Sequence, residues 1–368
     1  MLAELPASPG PATAAGPARR ASLLSPGARY ILLRLCFVPI GALAVATLSF
    51  FFVNLIPSDP VRAFLGSLAT KAQIVAEQHK LGLDQSVWDR YIRYMSGLFH
   101  GSLGNSYYGG QAVIDAIGQR IVSSAELIIP AFILAYLIGV TLGGIGAYFK
   151  GRPADRVAGA AVALAQSIPD YIVGLLGVFI LFYELHLLPA PTGQLSLIII
   201  PPQSVTNASF IDSLIAGNGP AITDSLQHLI MPVLALGIAN SVVFARITRV
   251  AMVKSLASAH IEFARARGLR EWQVVRQAFK VSRIPVITYS ATVIASLIGG
   301  DAIVEQVFNW QGVGQWAVAG MLRSDLPVVQ GFVLLSGVIT LVAYLLADLI
   351  IFRVDPRIRR PQGKEGSR

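Results

Sequence analysis

Six long apolar runs constrain this chain more than any other feature of its sequence. Each run holds about 20 residues or more, which is enough for a helix to cross the roughly 30 Å hydrocarbon core of a bilayer. Only 13% of the residues are charged, about half the usual fraction in soluble domains. The sequence therefore predicts an all-α membrane protein with six transmembrane helices, at about residues 35–56, 125–149, 158–183, 229–250, 285–307 and 331–352.

The 29 Lys and Arg residues, which give a net charge of +9, are spread unevenly between the runs. If both termini are cytoplasmic, most of them fall in cytoplasmic segments, and the loop 184–228 contains none. An excess of Lys and Arg in cytoplasmic segments is the signal that orients membrane proteins. We therefore predict cytoplasmic termini and a large extracytoplasmic loop after the first span. The basic composition reflects contact with a lipid bilayer, and no nucleic acid partner is expected.

The chain divides into three predicted parts. Residues 1–29 are rich in Ala, Pro, Ser and Gly and are expected to form a disordered cytoplasmic extension. Residues 30–352 form the transmembrane domain, and residues 353–368 form a basic cytoplasmic tail. Within the first extracytoplasmic loop, residues 70–81 and 87–99 have helical patterns, and the aromatic side chains of the second are expected to pack on the outer ends of spans.

One basic segment, residues 258–285, lies between the fourth and fifth runs. Small residues alternate with arginines as far as Gly268, and a second amphipathic pattern containing Trp272 begins near Glu271. We expect Gly268 to separate two short helices that lie on the membrane surface. Two functions fit this pattern: a juxtamembrane segment held by anionic lipid, or a docking surface for a partner protein.

Several acidic residues fall within the apolar runs, where an unpaired charge is costly. The rise of a straight helix places Asp170, which follows Pro169, near the bilayer centre. Asp170 is a candidate for lining a translocation path, or it forms a structural hydrogen bond. Asp301 and Glu305 are expected at the wet outer end of the fifth run, as a gate, a docking site or a cap. Asp348 is expected to pair with an arginine.

The motifs along the chain resemble those of the membrane permease subunits of ABC importers, in particular the first permease of the dipeptide, oligopeptide and nickel class. Residues 262–269 are similar to the cytoplasmic EAA loop of that family, although Phe263 and Ala264 stand where the name-giving motif has two alanines. The resemblance covers about residues 30–360 in order. Its other motifs lie at residues 56–60, 81–84, 228–232, 304–308, 325–331 and 355–359.

The resemblance implies that the loop contains a coupling helix, which docks on a cytoplasmic ATPase subunit. The implied partners are a second homologous permease, two ATP-binding cassette ATPase subunits and an extracytoplasmic solute-binding protein, in a bacterial cytoplasmic membrane. The leading cargo is di- or oligopeptides. The residues given the coupling role are Glu262, Phe263, Ala264, Arg265, Ala266, Arg267 and Gly268.

No catalytic residue, metal site or bound cofactor is expected on this chain. A phosphate-binding loop needs the pattern GxxxxGK[ST], and here Gly363-Lys364 is followed by Glu365. ATP and magnesium would therefore be held by the partner ATPase subunits. The five histidines are scattered, with none at the i, i+4 spacing of a helical zinc site.

Two other functions are weighed against this one. A secondary transporter driven by an ion gradient would need deep charged groups, often in paired repeats, and Asp170 is a single such group. An intramembrane aspartyl protease would need Asp170 and Asp301 close enough to share a proton. Straight-helix geometry predicts that these two acids lie at different levels.

Overall fold

The computed structural model describes residues 26–55, 60–66 and 68–354, and the regular elements of this part are helical. Within these ranges five helices are long and apolar enough to cross a membrane, and a bent pair would make a sixth span. The all-helical prediction is therefore confirmed. In chain order the helices are α1 (Pro26–Leu55), α2 (Pro60–Leu65), α3 (Lys71–Leu81), α4 (Val87–Phe99), α5 (Val113–Tyr148), α6 (Pro153–Ser167), α7 (Asp170–Gly177, continued by the π-helical segment Val178–Glu184), α8 (Ser209–Ala216), α9 (Gly219–Leu256), α10 (Ala259–Ala266), α11 (Glu271–Phe308), α12 (Val313–Leu322) and α13 (Leu326–Val354).

Helix α9 is the most buried of the long helices, and α5 packs along it. Gly139 and Gly143 of α5 allow this close approach, because a Cβ on either would overlap Ala245 or its neighbours in α9. Small residues are the usual means by which helices approach in lipid. Leu127 of α5, Leu236 of α9 and side chains of α11 fill the main apolar core beside this contact.

The third predicted span is broken. α6 ends at Ser167, and α7 begins at Asp170 with its axis turned by 96°. Ile168 has the extended backbone that a residue before proline prefers, with φ −114° and ψ 121°, so the helical ladder stops before Pro169. The depth estimate for Asp170 assumed one straight helix, and that assumption is wrong.

The fifth span begins earlier than predicted, and the expected second surface helix is not a separate element. α11 runs without a break from Glu271 to Phe308, through Pro285. Proline removes one backbone hydrogen bond, but the helix around it is held by packing, since Val286 is buried. α11 is therefore one rod, roughly 57 Å long at 1.5 Å per residue.

Helices α1 and α13 pack together at the side of the bundle. Arg34 of α1 pairs with Asp348 of α13 at 3.0 Å, as expected for that acid. The helices predicted at residues 70–81 and 87–99 are confirmed as α3 and α4. Tyr91 and Tyr94 of α4 pack on Phe50 of α1, with ring centroids 5.4 and 5.6 Å apart, which confirms the expected aromatic packing on a span.

The predicted terminal regions lie mostly outside the described residues. Of the extension 1–29, residues 1–25 are outside, and residues 26–29 belong to the first turn of α1. Of the tail 353–368, only residues 353 and 354 are described, as the end of α13. The family motif at residues 56–60 lies outside the described part except for Pro60.

Candidate coupling surface and translocation-path residues

Helix α10 is a short helix, and one turn separates it from α9 and another from α11. It runs from Ala259 to Ala266, and Gly268 follows it with a positive φ of 76°. Glycine adopts this left-handed conformation without the steric cost that a Cβ imposes. The predicted helix break at Gly268 is confirmed.

The buried face of α10 rests on the adjoining ends of α9 and α11. Ile261 and Val274 have no exposed surface and form a small apolar cluster with Ala278, against which Leu256 packs. The hydroxyl of Ser255, in the last turn of α9, donates to the carbonyl oxygen of Ala278 in α11 at 3.0 Å. A force on α10 would therefore reach α9 and α11 together.

The opposite face of α10 is exposed and carries a large aromatic side chain. Phe263 is 64% exposed, and the guanidinium of Arg267 lies 5.8 Å from its ring centroid. Arg265 lies 3.5 Å from Glu271, at the start of α11. Of the predicted coupling residues, Ala264 is buried. The exposed residues are Glu262, Phe263, Arg265, Ala266, Arg267 and Gly268.

An ion pair fixes α6 to α9 at the same end of the bundle. The Arg249 guanidinium donates to both carboxylate oxygens of Asp155, at 2.8 and 2.9 Å. The backbone N–H of Gly151 also donates to Asp155, at 2.9 Å. Such two-point contacts fix orientation as well as distance, so α6 is held to α9 next to α10.

Asp170 lies at the first turn of α7 and faces α11. Its carboxylate accepts a hydrogen bond from the backbone N–H of Tyr171 at 2.8 Å. A Cβ added to Gly300 would lie 3.1 Å from the other carboxylate oxygen, so Asp170 is next to Gly300. The predicted difference in level between Asp170 and Asp301 is therefore wrong, because Asp170 lies beside the residue that precedes Asp301. The straight-helix estimate did not include the bend between α6 and α7. The side chain of Asp301 lies outside the described part of the structure.

Glu305 does not occupy the wet position predicted for it. Its side chain has no exposed surface. The Ser124 hydroxyl of α5 donates to one carboxylate oxygen, and the backbone N–H of Gln315 donates to the other at 2.7 Å. Carboxylates are stabilised at helix N-termini by free N–H groups and the helix dipole. Glu305 therefore caps α12, a neighbouring helix, rather than its own.

The loop before α12 is shaped around this carboxylate. A Cβ on Gly312 would overlap both Glu305 and Ser124, so only glycine allows the approach. The backbone N–H of Val313 donates to Ser124 Oγ at 2.8 Å. Next to it, the indole N–H of Trp310 donates to the carbonyl oxygen of Ser123 at 3.0 Å. The network joins α5, α11 and α12.

A distant loop completes the network through Gln194. Its amide donates to Ser123 Oγ at 2.5 Å and to the Trp310 carbonyl oxygen at 2.8 Å. Its carbonyl oxygen accepts from the backbone N–H of Ser209 at 2.7 Å. Nothing in the sequence indicated that this network would include Ser123, Ser124, Gln194 and Trp310, since none lies at a helical or motif spacing from Glu305. Across the described residues, no three His, Cys, Asp or Glu side chains cluster to hold a metal ion.

Comparisons with known proteins agree along nearly the whole chain. Residues 135–360 match the family described as "Binding-protein-dependent transport system inner membrane component". Residues 28–127 match the family of its N-terminal part, "Binding-prot-dependent transport system membrane comp, N-term".

Several curated relatives are similar over almost their full length. A probable D,D-dipeptide transport system permease protein of Escherichia coli K12 is 36% identical over 322 residues, which cover 87% of this chain and 94% of the relative. A dipeptide transport system permease protein of the same strain is 32% identical over 338 residues, covering 90% and 98%. A glutathione transport system permease protein of Escherichia coli O6:H1 is 30% identical over 331 residues, covering 90% and 98%.

Proposed function

The chain belongs to the family of binding-protein-dependent transport system inner membrane components, and on that premise we propose that it forms half of the translocation path of an ATP-driven importer of dipeptides. The chain is a multi-pass inner-membrane permease. Family membership favours this function over the ion-gradient-driven carrier and the aspartyl protease. The dipeptide cargo rests on the names of the relatives.

The end of the bundle that carries α10 is proposed to face the cytoplasm, with both termini on that side. The support is chemical: Lys150, Lys254, Lys280 and many arginines lie in or next to the helix ends that meet there. Lys and Arg accumulate on the cytoplasmic side of membrane proteins. On this orientation, the loops between α1 and α5 and the loop that contains Gln194 are extracytoplasmic.

The exposed face of α10 is proposed to dock on an ATPase subunit, and this surface is the single observation that carries the coupling role. An aromatic side chain as exposed as Phe263, flanked by arginines, is typical of an anchor that a partner buries. The coupling residues are Glu262, Phe263, Arg265, Ala266, Arg267 and Gly268, with Ala264 buried.

Movement of α10 is proposed to reach the translocation path through α11. Because α11 is one continuous helix, a displacement at Val274 is transmitted along it to Gly300 beside Asp170, while Glu305 holds its far end. Asp170 and Asp301 remain candidates for contact with the peptide ammonium group. Glu305 is assigned to holding α12 on α11 and α5.

The remaining parts of the importer are proposed to come from other polypeptides. They are a second homologous permease, two ATPase subunits and an extracytoplasmic solute-binding protein. The chain lacks a phosphate-binding loop, and Gly363-Lys364 is followed by Glu365. ATP and magnesium are therefore assigned to the ATPase subunits, and this chain binds no cofactor of its own.

The test is transport by the assembled importer in liposomes, with labelled dialanine and ATP. Phe263→Ala is expected to lower ATP-driven uptake by about tenfold or more, the size of effect seen when an interface anchor is truncated. Trp272→Ala, a similarly exposed aromatic at the start of α11, is the matched control and should lose less.

Two results would contradict the proposal. Uptake driven by an ion gradient without ATP would return the function to a secondary carrier. Recovery of the chain from membranes without a second permease or ATPase subunits would remove the partners on which the coupling role depends.

A further inference from the structure

A large cavity lies at the end of the bundle opposite α10, away from the coupling surface and from Glu305. Its volume is about 830 Å³, within the range of small-molecule sites. It is bounded by the end of α1, by α3 and α4, by the loop 102–110 and by the start of α13. No function proposed above uses it.

The cavity wall contains a cation with an unpaired donor atom among the residues that the structure describes. Arg90 of α4 lines the cavity, and its Nε is buried without a hydrogen-bond partner among the described residues. The acid Glu77 on the same wall is paired with Lys80 at 3.0 Å. Buried donors without a partner cost free energy, and arginine stays charged. The cavity is therefore suited to an anionic group.

Other polar groups around the cavity are consistent with this charge. The Tyr94 hydroxyl is also buried without a partner among the described residues. Burial, together with the charge of Asp325, raises the pKa of Tyr107 to about 12, so its hydroxyl stays protonated and can donate. The Asp325 carboxylate itself accepts from the Ser106 hydroxyl at 2.5 Å and from the Tyr107 backbone N–H at 3.3 Å. Both printed contacts of the Asp325 carboxylate are therefore with neutral donors.

The other face of α4 presents an apolar stripe outward. Trp88, Ile92 and Phe99 are 61%, 52% and 72% exposed, and Met95 lies between them at helical spacing. Arg90 and the other cavity-lining residues of α4 lie on the opposite side. A helix with one apolar face and one cationic face is typical of elements that lie in the lipid headgroup region.

Contacts with α1 set the level of α4 relative to the membrane. Tyr91 packs on Phe51 with ring centroids 5.3 Å apart, and its hydroxyl is 3.1 Å from Thr47 Oγ1. These positions belong to the last turns of a span that ends at Leu55. Phe52 and Leu55 beside them are 65% and 75% exposed. Helix α4 therefore lies at the boundary of the hydrocarbon core, where Trp and Tyr are enriched.

We propose that this cavity binds the headgroup of an anionic phospholipid. Its phosphate contacts the Arg90 guanidinium, whose planar donors match phosphate oxygens. Its acyl chains pass the end of α1 near Leu55 into the hydrocarbon core, and the apolar stripe on the other side of α4 also faces lipid. The proposal requires only that the chain lies in a membrane, so it does not depend on the cargo or on the coupling role.

The test uses the assembled importer after its lipids have been removed in detergent. It is titrated with phosphatidylglycerol or phosphatidylcholine, and native mass spectrometry counts the bound lipids. Arg90→Gln is expected to weaken phosphatidylglycerol binding by about tenfold, the loss expected for one charge-assisted hydrogen bond. Phosphatidylcholine, whose choline offsets the phosphate charge, should bind the unmodified protein more weakly and lose less on the same substitution. Lys71→Gln, the same charge change at an exposed position of α3 outside the cavity, should leave both unchanged. Phosphatidylglycerol binding by Arg90→Gln equal to that of the unmodified protein would overturn the proposal.

A second measurement does not depend on a variant at Arg90 that folds. The fluorescence of Trp88 is taken as the difference between the unmodified protein and Trp88→Phe. This difference is compared in bilayers of brominated and of ordinary phosphatidylglycerol, because bromine quenches a tryptophan that it contacts. Quenching supports the proposal. Unquenched Trp88 would mean that a protein partner covers the stripe. In the binding experiment, displacement of the lipid by an equal concentration of inorganic phosphate would mean a site for free anions. Either result overturns it.

Discussion

The two ends of α11 are stabilised in opposite ways. At the start, near Glu271, the helix meets α10 through a small apolar cluster, and charged and aromatic groups stay exposed. At the end, Glu305 is fully buried and accepts hydrogen bonds from α5 and α12. Buried polar networks are rigid when every member is satisfied. One end is therefore fixed within the chain, and the other is open to a partner.

This difference is consistent with a helix that a partner moves at its Glu271 end while its Glu305 end stays fixed in the chain. A surface that docks a partner must remain partly exposed in the isolated chain, and its own contacts must be modest. A helix terminus that orders several loops must be held by contacts within the chain. Substitutions at matched positions along α11 can test whether stability really divides in this way.

The largest effect on stability is expected at Glu305. Glu305→Ala leaves Ser124 and the Gln315 backbone N–H buried without an acceptor, and should lower the free energy of unfolding by about 3 kcal/mol. Glu271→Ala, at the exposed start of the same helix, should change it by under about 0.5 kcal/mol. Thermal unfolding of the detergent-solubilised importer measures both. Equal losses for the two variants would remove the contrast between the ends.

Gly268 and Gly312, which flank α11, are expected to be required for different physical reasons: backbone conformation at Gly268 and space at Gly312. Gly312→Ala places a Cβ against Glu305 and should cost about 2 kcal/mol through overpacking. Gly268 has open space around it but a positive φ, so Gly268→Ala should cost about 1 kcal/mol through backbone strain. Gly268→Asn should recover part of that loss because Asn tolerates the left-handed region. The same rescue by Gly312→Asn would show that space is not the reason there.

The ion pair between Asp155 and Arg249 tests whether any polar contact at the α10 end of the bundle contributes measurably to stability. The Asp155 side chain is 12% exposed and that of Arg249 is 42% exposed, so the pair is only partly shielded from water. A double-mutant cycle with Asp155→Asn and Arg249→Gln should give a coupling energy of about 1 kcal/mol. A value near zero would mean that α6 is held to α9 by packing alone.

The smallest effect on stability is expected for the exposed face of α10. Phe263→Ala should change the free energy of unfolding by less than about 0.5 kcal/mol. Ile261→Ala, on the buried face of the same helix, should cost about 3 kcal/mol. Unfolding of the two variants under identical conditions provides the comparison. A large loss for Phe263→Ala would mean that this side chain holds the fold rather than a partner.

The features of the fold that depend on neighbouring residues were predicted well from the sequence. Length and hydropathy gave the all-helical membrane class. The end of α10 at Gly268 followed from glycine backbone freedom. The 96° bend at Pro169 was not part of the prediction, which treated the third span as one straight helix. The boundaries of the long helices were less accurate, since a helix continues past its apolar run wherever polar turns are packed. α5 begins at Val113 rather than at residue 125.

By itself, the sequence determined the class, the family resemblance, the helix break at Gly268 and the segment that contains α10, because each depends on residue type or local spacing. Only the tertiary structure decided the burial of Glu305, the nearness of Asp170 to Gly300 and the burial of Ala264. Those three facts depend on which helices face each other and at what level. A single-helix rise cannot give that information once a 96° bend intervenes. Packing between distant segments therefore fixed one end of α11 and left the other exposed.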